Sequence, residues 1–486
     1  MIRIKRRPFF DKRSSYRLFR ITFRNSIIDR FGKIYSRNMK KNDIVEILID
    51  SYADGGEGVG RIDGLAVFVP FTIKGELVKA KIILLKKNYA VGKLLEVLTS
   101  SSSRVNAICP NFTKCGGCQL QHMDDKEEDN FKKQKVNDAL RRIGKADITP
   151  QNTVNVSERI RYRNKLEMPF GLIDGKITPG FFAPYSHRVV PTTNCIIQSK
   201  LSMDVLQKFT AFANEVQLSV YNEETGKGLL RHLVVRENGN SFLATVVING
   251  KNLPKSDLLI AKFKELNVDF GLYINVNTKN TNVVFSDDFR HIFGLQSLQY
   301  EEDGIKYSVY PQSFLQVNDL VAKRLYDDAL EFFGEKDVVI NGYSGAGLLT
   351  ARLAKKVKKA YGIEIVKECT ISADKLKEDN GIENMHNITG DCAVEMPKLI
   401  KNLSVEEKEH LAVLLDPPRK GVEESILRAI LEVNPKKIVY ISCNPSTLAR
   451  DIAILSPNYS PKRATPYNMF PKTKHVETVA YLERKE

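Results

Sequence analysis

Long apolar runs and abundant cysteine are both missing from this chain of 486 residues. No run reaches the roughly 18 apolar residues that a membrane-spanning helix needs, so no membrane partner is expected. The seven cysteines are too few and too unevenly placed for a secreted disulfide scaffold of this length. We therefore expect a cytoplasmic protein with reduced thiols.

Acidic side chains are nearly missing from residues 1–38, which carry twelve Lys and Arg against two Asp. This basic extension supplies +10 of the formal net charge of +16, and the rest of the chain only +6. Three interpretations compete: an arm that binds nucleic acid, an organelle targeting peptide, or an upstream translation artefact with the biological start at Met39. A disordered arm or a start-site artefact is favoured over targeting. The positive charge indicates a polyanionic partner, nucleic acid rather than membrane, but only weakly.

Three regions follow the extension. Residues 39–98 combine alternating apolar positions with glycine-rich turns, which predicts a small OB-like β-barrel of a kind that often holds RNA. Residues 99–310 open on a serine linker and have a mostly-β, α+β pattern. In residues 311–486 strands and helices alternate, which predicts an α/β domain with a parallel sheet.

Three cysteines lie close together in CPNFTKCGGC, at Cys109, Cys115 and Cys118, and a fourth follows at Cys195. Four thiolates can hold either a structural zinc ion or an iron–sulfur cluster. Zinc sites usually use two close pairs of ligands. Three close cysteines and one distant cysteine therefore favour the cluster.

A glycine loop, GYSGAG, joins the apolar run KDVVIN to a helical pattern and indicates a ligand site at the carboxyl edge of a sheet. The next strand ends near Glu364, where an acid can bond ribose hydroxyls. Further strands end at Asp391 and at Asp416, the latter in the rigid DPPRKG loop. Because the third glycine of the dinucleotide fingerprint is missing, NAD, a flavin and a nucleoside sulfonium all remain open at this point.

Cys443 stands at a strand-to-helix corner in KKIVYISCNPSTLARDIAI. Asn444 is a preferred N-cap and Pro445 a preferred first helical residue, so the helix start is expected to favour a thiolate. This position predicts a nucleophile. Its base would come from His475 or Glu477 downstream, and Glu477 is the better candidate if a carbon-bound proton must be removed.

Basic side chains crowd the middle of the chain. They could contact phosphates or lie on a charged strand edge, and the two interpretations are equally supported. The residues are Arg159, Arg161, Arg163, Lys165, Arg231 and His232.

Together, the motifs resemble the RNA uracil-5-methyltransferases that use S-adenosylmethionine. QSFLQVN, GYSGAG, GIE, DPPRKG, SCNPST and FPKTKHVE occur in that family's order, and the resemblance covers nearly the whole chain from Met39. It implies a TRAM domain in residues 39–98, a [4Fe–4S] cluster in the central domain, and a Rossmann-like methyltransferase domain in residues 311–486. Enzymes of this family that act on 23S ribosomal RNA combine the TRAM domain and the cluster, whereas the tRNA enzymes usually lack both.

The resemblance also implies roles for single residues. Cys443 matches the nucleophile and Glu477 the base. The cluster ligands would be Cys109, Cys115, Cys118 and Cys195. The residues that match binding of the methyl donor are Gln316, Tyr343, Glu364 and Asp416, with Asp391 near its adenine or ribose end. Two positions depart from the family: Asn341 replaces a frequent Asp, and Ser344 a frequent Cys.

The expected activity is methylation of C5 of a uridine in 23S rRNA by a monomer, through a covalent bond between Cys443 and C6. The alternatives are a tRNA uracil-5-methyltransferase and a non-catalytic, metal-containing RNA-binding protein. A radical S-adenosylmethionine enzyme is disfavoured because four thiolates leave no open iron. A NAD-dependent oxidoreductase is disfavoured by the missing glycine and the DPPRKG loop.

Overall fold

The computed structural model describes residues 39–184 and 186–486, so the interpretations of residues 1–38 lie outside the described residues. The chain divides into two compact units, one ending at Arg104 and the other running from Val105 to Glu486. Among the described helices, none has both the length and the apolar character needed to span a membrane.

The first unit is a six-stranded sheet in the order β1-β5-β6-β4-β3-β2. In β1 the side chains of IVEIL alternate between solvent and the core, which is the period-2 pattern of a strand with one buried face. The β-rich fold predicted for this region is confirmed. Its strands are β1 (Ile44–Leu48), β2 (Ser51–Tyr52), β3 (Gly58–Ile62), β4 (Leu65–Val69), β5 (Leu77–Leu85) and β6 (Tyr89–Thr99).

The second unit begins with helix α1 (Asp125–Arg142), followed by a mixed seven-stranded sheet in the order β13-β12-β11-β10-β7-β8-β9. Helices α2 (Lys200–Glu215) and α3 (Ser256–Lys264) bury aromatic side chains against this sheet. The strands are β7 (Lys165–Ile173), β8 (Lys176–Phe182), β9 (Val189–Pro191), β10 (Leu230–Asn238), β11 (Ser241–Ile248), β12 (Asp269–Val276) and β13 (Phe289–Gly294). The mostly-β, α+β pattern of the sequence is observed here.

A second seven-stranded sheet, in the order β18-β17-β16-β19-β20-β22-β21, follows a two-stranded hairpin. Its first five strands are parallel, and β22 is antiparallel to both of its neighbours. Hairpin and sheet comprise β14 (Leu298–Glu302), β15 (Ile305–Val309), β16 (Val338–Gly342), β17 (Lys359–Glu364), β18 (Met385–Thr389), β19 (Leu411–Leu415), β20 (Lys437–Ser442), β21 (Tyr459–Tyr467) and β22 (Glu477–Arg484). The predicted α/β fold is confirmed.

Helices cover both faces of this sheet, which explains why β16 and β19 are buried along their whole length. The chain turns in opposite directions from β16 to its neighbours β17 and β19, so a switch point lies at their carboxyl ends, where open α/β sheets bind ligands. The helices are α4 (Asp319–Glu331), α5 (Leu348–Ala354), α6 (Lys367–Asp379), α7 (Cys392–Asn402), α8 (Val405–Glu409), α9 (Glu424–Val433) and α10 (Pro445–Leu455).

Helix α1 lies apart from its neighbours in sequence. Its buried residues Val136, Ala139 and Leu140 belong to the same apolar core as Leu448 and Ile452 of α10. The sequence places this helix in the predicted central region, whereas its packing joins it to the parallel sheet.

Candidate active site

Three strand ends meet at the carboxyl edge of the parallel sheet. Gly342, the last residue of β16, lies beside Ile363 of β17 and Leu415 of β19. The next residues along these strands are Tyr343, Glu364 and Asp416. The structure therefore brings together three of the predicted donor-binding residues, although the sequence separates them by up to 73 positions.

Glu364, the last residue of β17, is hydrogen-bonded to the glycine loop that follows β16. One oxygen of its carboxylate accepts the Gly345 N–H at 2.9 Å, and the other accepts the Val366 N–H at 2.9 Å. Gly347 has a φ of +87°, and a Cβ there would lie 2.6 Å from Ala373 Cβ, so this position requires glycine. A carboxylate offers about four lone pairs. Glu364 can therefore still accept hydrogen bonds from two hydroxyl groups.

Both departures from the family lie beside this loop. Asn341 donates from Nδ2 to the Thr350 hydroxyl at 2.9 Å, which ties β16 to α5. The Ser344 N–H donates to the Ile363 carbonyl at 3.0 Å, a main-chain bond that does not depend on the side chain. Neither substitution disturbs the hydrogen bonds that shape the loop.

The remaining two donor-binding candidates are Asp391 and Gln316. Asp391 is the N-cap of α7 and accepts the Ala393 N–H at 2.9 Å, and the preceding Gly390 N–H donates to the Glu364 carbonyl. Gln316 is buried, and its carbonyl accepts a hydrogen bond from Asn164 Nδ2 at 3.0 Å. Asp391 thus adjoins Glu364, while Gln316 is held by the segment that leads into β7.

Cys443 and Glu477 lie at the same end of two paired strands, Cys443 directly after β20 and Glu477 at the start of β22. In the antiparallel β20–β22 pair, Ser442 lies opposite Thr478. Continued by one position, this register leads from Cys443 to Glu477, whose side chain is buried, and the Glu477 carboxylate raises the pKa of Cys443. The sequence places these residues 34 positions apart, and the fold makes them neighbours at the same edge of the sheet.

The electrostatics of this pair differ from the expectation of a helix start that favours thiolate. Burial raises the pKa of Cys443 to about 11, and the Glu477 carboxylate adds to the shift, while Arg419 opposes it. Burial also raises the pKa of Glu477 to about 8, with Asp416 adding to the shift. Burial alone raises the pKa of Asp416 to about 7. The pKa of the Cys443 thiol is thus raised, opposite to the direction expected from its place before a helix.

The other candidate base, His475, lies near several cations. Its pKa falls to about 4, first because of burial and then because of Arg419 and the lysines at positions 135 and 474. The imidazole is therefore neutral at physiological pH. The β20–β22 register, continued by one position, leads from Cys443 to Glu477 and not to His475.

Sequence reasoning missed the groups that position the DPPRKG loop. The Arg419 carbonyl accepts hydrogen bonds from Asn444 Nδ2 at 3.2 Å and from the Thr447 hydroxyl at 3.4 Å. Asp451, fully buried, accepts the Val422 N–H at 2.9 Å and the Tyr440 hydroxyl at 2.7 Å. The motif itself was visible in the sequence. The effect of Arg419, which favours the charged forms of Cys443 and Glu477, depends on tertiary structure.

The four predicted cluster ligands lie in one neighbourhood. Burial raises the pKa of Cys118 to about 12, and the other three cysteines each add to the shift. Arg161 holds the loop around Cys195 by donating to the Cys195 carbonyl at 2.8 Å. Within residues 39–184 and 186–486, however, no three His, Cys, Asp or Glu side chains are placed closely enough to hold a metal ion.

The structure also shows what several of the basic residues contact. Arg159 pairs with Asp129 at 2.7 Å, and Arg161 donates to main-chain carbonyls of the Cys195 loop. Arg231 donates to the carbonyls of Asn277 and Lys279. For these three residues the contacts favour a structural role over phosphate binding.

Comparison with known proteins agrees with this geometry. The family described as tRNA (Uracil-5-)-methyltransferase matches residues 257–485, and the TRAM domain matches residues 39–95. An RNA methyltransferase of Clostridium acetobutylicum is 38% identical over 455 residues, covering 92% of this chain and 98% of the relative. An RNA methyltransferase of Caldanaerobacter subterraneus is 39% identical over 452 residues, covering 92% of this chain and 99% of the relative.

A solved structure shares the fold over most of the chain. It is the Pyrococcus abyssi tRNA (uracil-54, C5)-methyltransferase in complex with S-adenosyl-L-homocysteine, 26% identical, with a TM-score of 0.73, covering 90% of this chain and 99% of that one. The resemblance seen in the motifs is thus confirmed in sequence and in fold. The chain belongs to the family of S-adenosylmethionine-dependent RNA (uracil-5-)-methyltransferases and carries a TRAM domain.

Proposed function

We propose that this enzyme methylates C5 of a uridine in 23S rRNA and that Cys443 forms a covalent bond with the uracil ring during the reaction. The observation that supports this mechanism is the β20–β22 register, whose last pair, Ser442 and Thr478, comes one position before Cys443 and Glu477. Glu364 and Asp416 lie at the same edge of the sheet. Nucleophile, base and candidate donor-binding residues therefore converge on one place.

Uracil C5 is a poor nucleophile until a group adds at C6. The Cys443 sulfur, its proton lost to solvent, forms a bond to C6, and the electrons of the C5–C6 double bond become an enolate. S-adenosylmethionine, when bound, supplies an electrophilic methyl group on a sulfonium centre. C5 takes that methyl group, and the ionised form of Glu477, which the charge of Arg419 favours, then accepts the C5 proton. The double bond re-forms, and Cys443 leaves as a thiolate.

The donor site fits the chemistry of a nucleoside. We propose that Glu364 accepts the ribose hydroxyls, because both of its oxygens keep free lone pairs after their main-chain hydrogen bonds. Asp391, adjoining Glu364, would face the adenine or ribose end. Gln316, Tyr343 and Asp416 would complete the donor site.

We also propose that Cys109, Cys115, Cys118 and Cys195 hold a [4Fe–4S] cluster. Four thiols match the ligand type and number of such a cluster. Their mutual effects on pKa support their proximity. No step of the methyl transfer needs this group, and a structural role accounts for it.

The choice of 23S rRNA rests on the joint presence of a TRAM domain and the four cysteines. The alternative, a tRNA substrate, is supported by the structural neighbour from Pyrococcus abyssi, which is a tRNA (uracil-54, C5)-methyltransferase. Incubation of the enzyme with a tritium-labelled methyl donor and either 23S rRNA or tRNA transcripts separates the two. We expect label in the 23S transcript, and label in tRNA alone would refute this assignment. We further propose a monomer acting in the cytoplasm, where the free thiols remain reduced.

The covalent step can be tested with RNA that contains 5-fluorouridine. Fluorine cannot leave C5 as a proton does, so the methylated adduct is trapped and migrates as a protein–RNA complex on a denaturing gel. We expect the adduct with the wild type and none with Cys443→Ala. An adduct that persists in Cys443→Ala would show that another residue is the nucleophile.

A further inference from the structure

The segment that leads into Glu477 forms many hydrogen bonds with residues that are distant in the sequence. Residues 469–474 form no helix or strand, and Glu477 begins β22 three residues later. Carbonyls of this segment accept hydrogen bonds from distant donors. The Met469 carbonyl accepts from Asn318 Nδ2 at 3.4 Å, and the Phe470 carbonyl accepts from Lys132 Nζ at 3.0 Å. The Pro471 carbonyl accepts from the Tyr162 hydroxyl at 3.2 Å, and the Lys474 carbonyl accepts from Lys135 Nζ at 3.1 Å. The Lys472 carbonyl accepts from the N–H groups of Gln119 and Leu120, at 3.1 Å each.

The N–H groups of the segment are held in the same way. The Lys472 N–H donates to buried Glu128 at 2.8 Å, and the Lys474 N–H donates to Gln119 Oε1 at 3.2 Å. Lys472 has a φ of 68°, which is uncommon for a residue other than glycine. The contacts around residues 469–474 therefore fix the path of the chain up to β22.

Gln119 contacts this segment through both its main chain and its side chain. Its main-chain N–H and its side-chain Oε1 bond to Lys472 and Lys474, so one residue holds two positions of the segment. Its Nε2 donates to the Gly116 carbonyl at 2.8 Å, which joins it to the loop between Cys115 and Cys118. Gln119 thus links the cysteine-bearing loop to the chain that positions the base.

We propose that Gln119 is a positioning residue for Glu477 and that, through residues 469–474, it sets the geometry of proton removal from C5. The proposal rests on the proposed function. A base must lie within hydrogen-bond reach of the proton that it removes. A displacement of about 1 Å can lower a rate by about 100-fold. The cysteine-bearing loop would then affect proton removal without taking part in it.

This role makes a prediction that a purely structural role does not. Addition of Cys443 and methyl transfer precede proton removal, so a misplaced Glu477 delays only the release of the product. Gln119→Ala should lower kcat on uridine RNA by about 10- to 100-fold. A methylated protein–RNA adduct should accumulate on ordinary uridine RNA, where the wild type shows little. The rate of adduct formation with 5-fluorouridine RNA should stay within about twofold of the wild type, because that adduct does not need the base.

Two further variants and one control complete the experiment. Gln119→Glu keeps an oxygen for the Lys474 N–H and should restore most of the turnover. Tyr162→Phe removes the hydrogen bond to Pro471 and should also cause adduct to accumulate. The matched control is Gln299→Ala in β14, which should behave as the wild type. The Gln299 side chain bonds to the hydroxyls of Ser297 and Ser308.

The outcomes separate the positioning role from the proposed function. If the wild type forms no adduct with 5-fluorouridine RNA, the proposed function fails. If it does, but Gln119→Ala turns over normally without accumulating adduct, only the positioning role fails. If Gln119→Ala also forms no adduct with 5-fluorouridine RNA, and its thermal midpoint or iron content is lower than that of the wild type, Gln119 stabilises the fold rather than positions Glu477.

Discussion

Replacing the buried carboxyl of Glu477 with an amide should stabilise the protein in a pH-dependent manner. Burial raises the pKa of Glu477 from 4.5 to about 8. Between these two values the folded protein holds a proton that the unfolded chain has released, so unfolding releases a proton. Each pH unit in that window lowers the free energy of unfolding by about 1.4 kcal/mol, for a total of about 5 kcal/mol.

Glutamine keeps the shape of the protonated acid and cannot ionise. Glu477→Gln should therefore match the wild type near pH 4.5 and exceed its free energy of unfolding by about 5 kcal/mol above pH 8. Urea unfolding followed by circular dichroism from about pH 5 to about pH 9 measures this gap. Glu483→Gln on the same strand, whose side chain is 50% exposed, is the matched control and should track the wild type. A gap for Glu477→Gln that does not change with pH would refute the assignment of a buried, proton-binding carboxyl.

Three further predictions concern groups near and far from the site. Asp451→Ala removes the acceptor of the Val422 N–H and the Tyr440 hydroxyl, and should cost about 3 kcal/mol in urea unfolding; a loss below about 0.5 kcal/mol would contradict this. Burial raises the pKa of Glu76, but the hydrogen bond and charge of Arg104 and the N–H groups of Ile73 and Ser101 together outweigh it, and the pKa is lowered. The stability that Glu76 contributes is thus present above pH 4.5 and lost as the pH falls through the folded pKa, so Glu76→Gln should be destabilised near pH 7 and approach the wild type near pH 3; an equal gap at both pH values would oppose it. His475→Gln should not accumulate adduct on uridine RNA, whereas Glu477→Gln should, and denaturing gels distinguish the two bases.

Local patterns were enough to predict much of the catalytic region. The apolar runs that form most of β16 and all of β19, the glycine loop after β16, and the cap at Asn444 each have a signature within a few neighbouring residues. Parallel strands bring their carboxyl ends to one edge, so the predicted convergence of Glu364 and Asp416 followed from topology. The observed register agrees with it.

The remaining features depend on contacts between distant parts of the chain. The helix start indicated an acidic thiol at Cys443, but burial and Glu477 across the strand pair raise its pKa. The apolar residues of α1 gave no sign of which sheet they would cover. The hydrogen bonds between Gln119 and the chain before Glu477 join residues more than 350 positions apart. No local periodicity encodes such contacts.

The most direct test of the account is nucleoside mass spectrometry of RNA treated with the methyl donor and three proteins. The wild type should yield 5-methyluridine, Glu477→Gln should yield methylated RNA bound covalently to protein, and Cys443→Ala should yield neither. Formation of 5-methyluridine by Cys443→Ala would contradict the claim that Cys443 and Glu477, at the same end of β20 and β22, carry out the reaction.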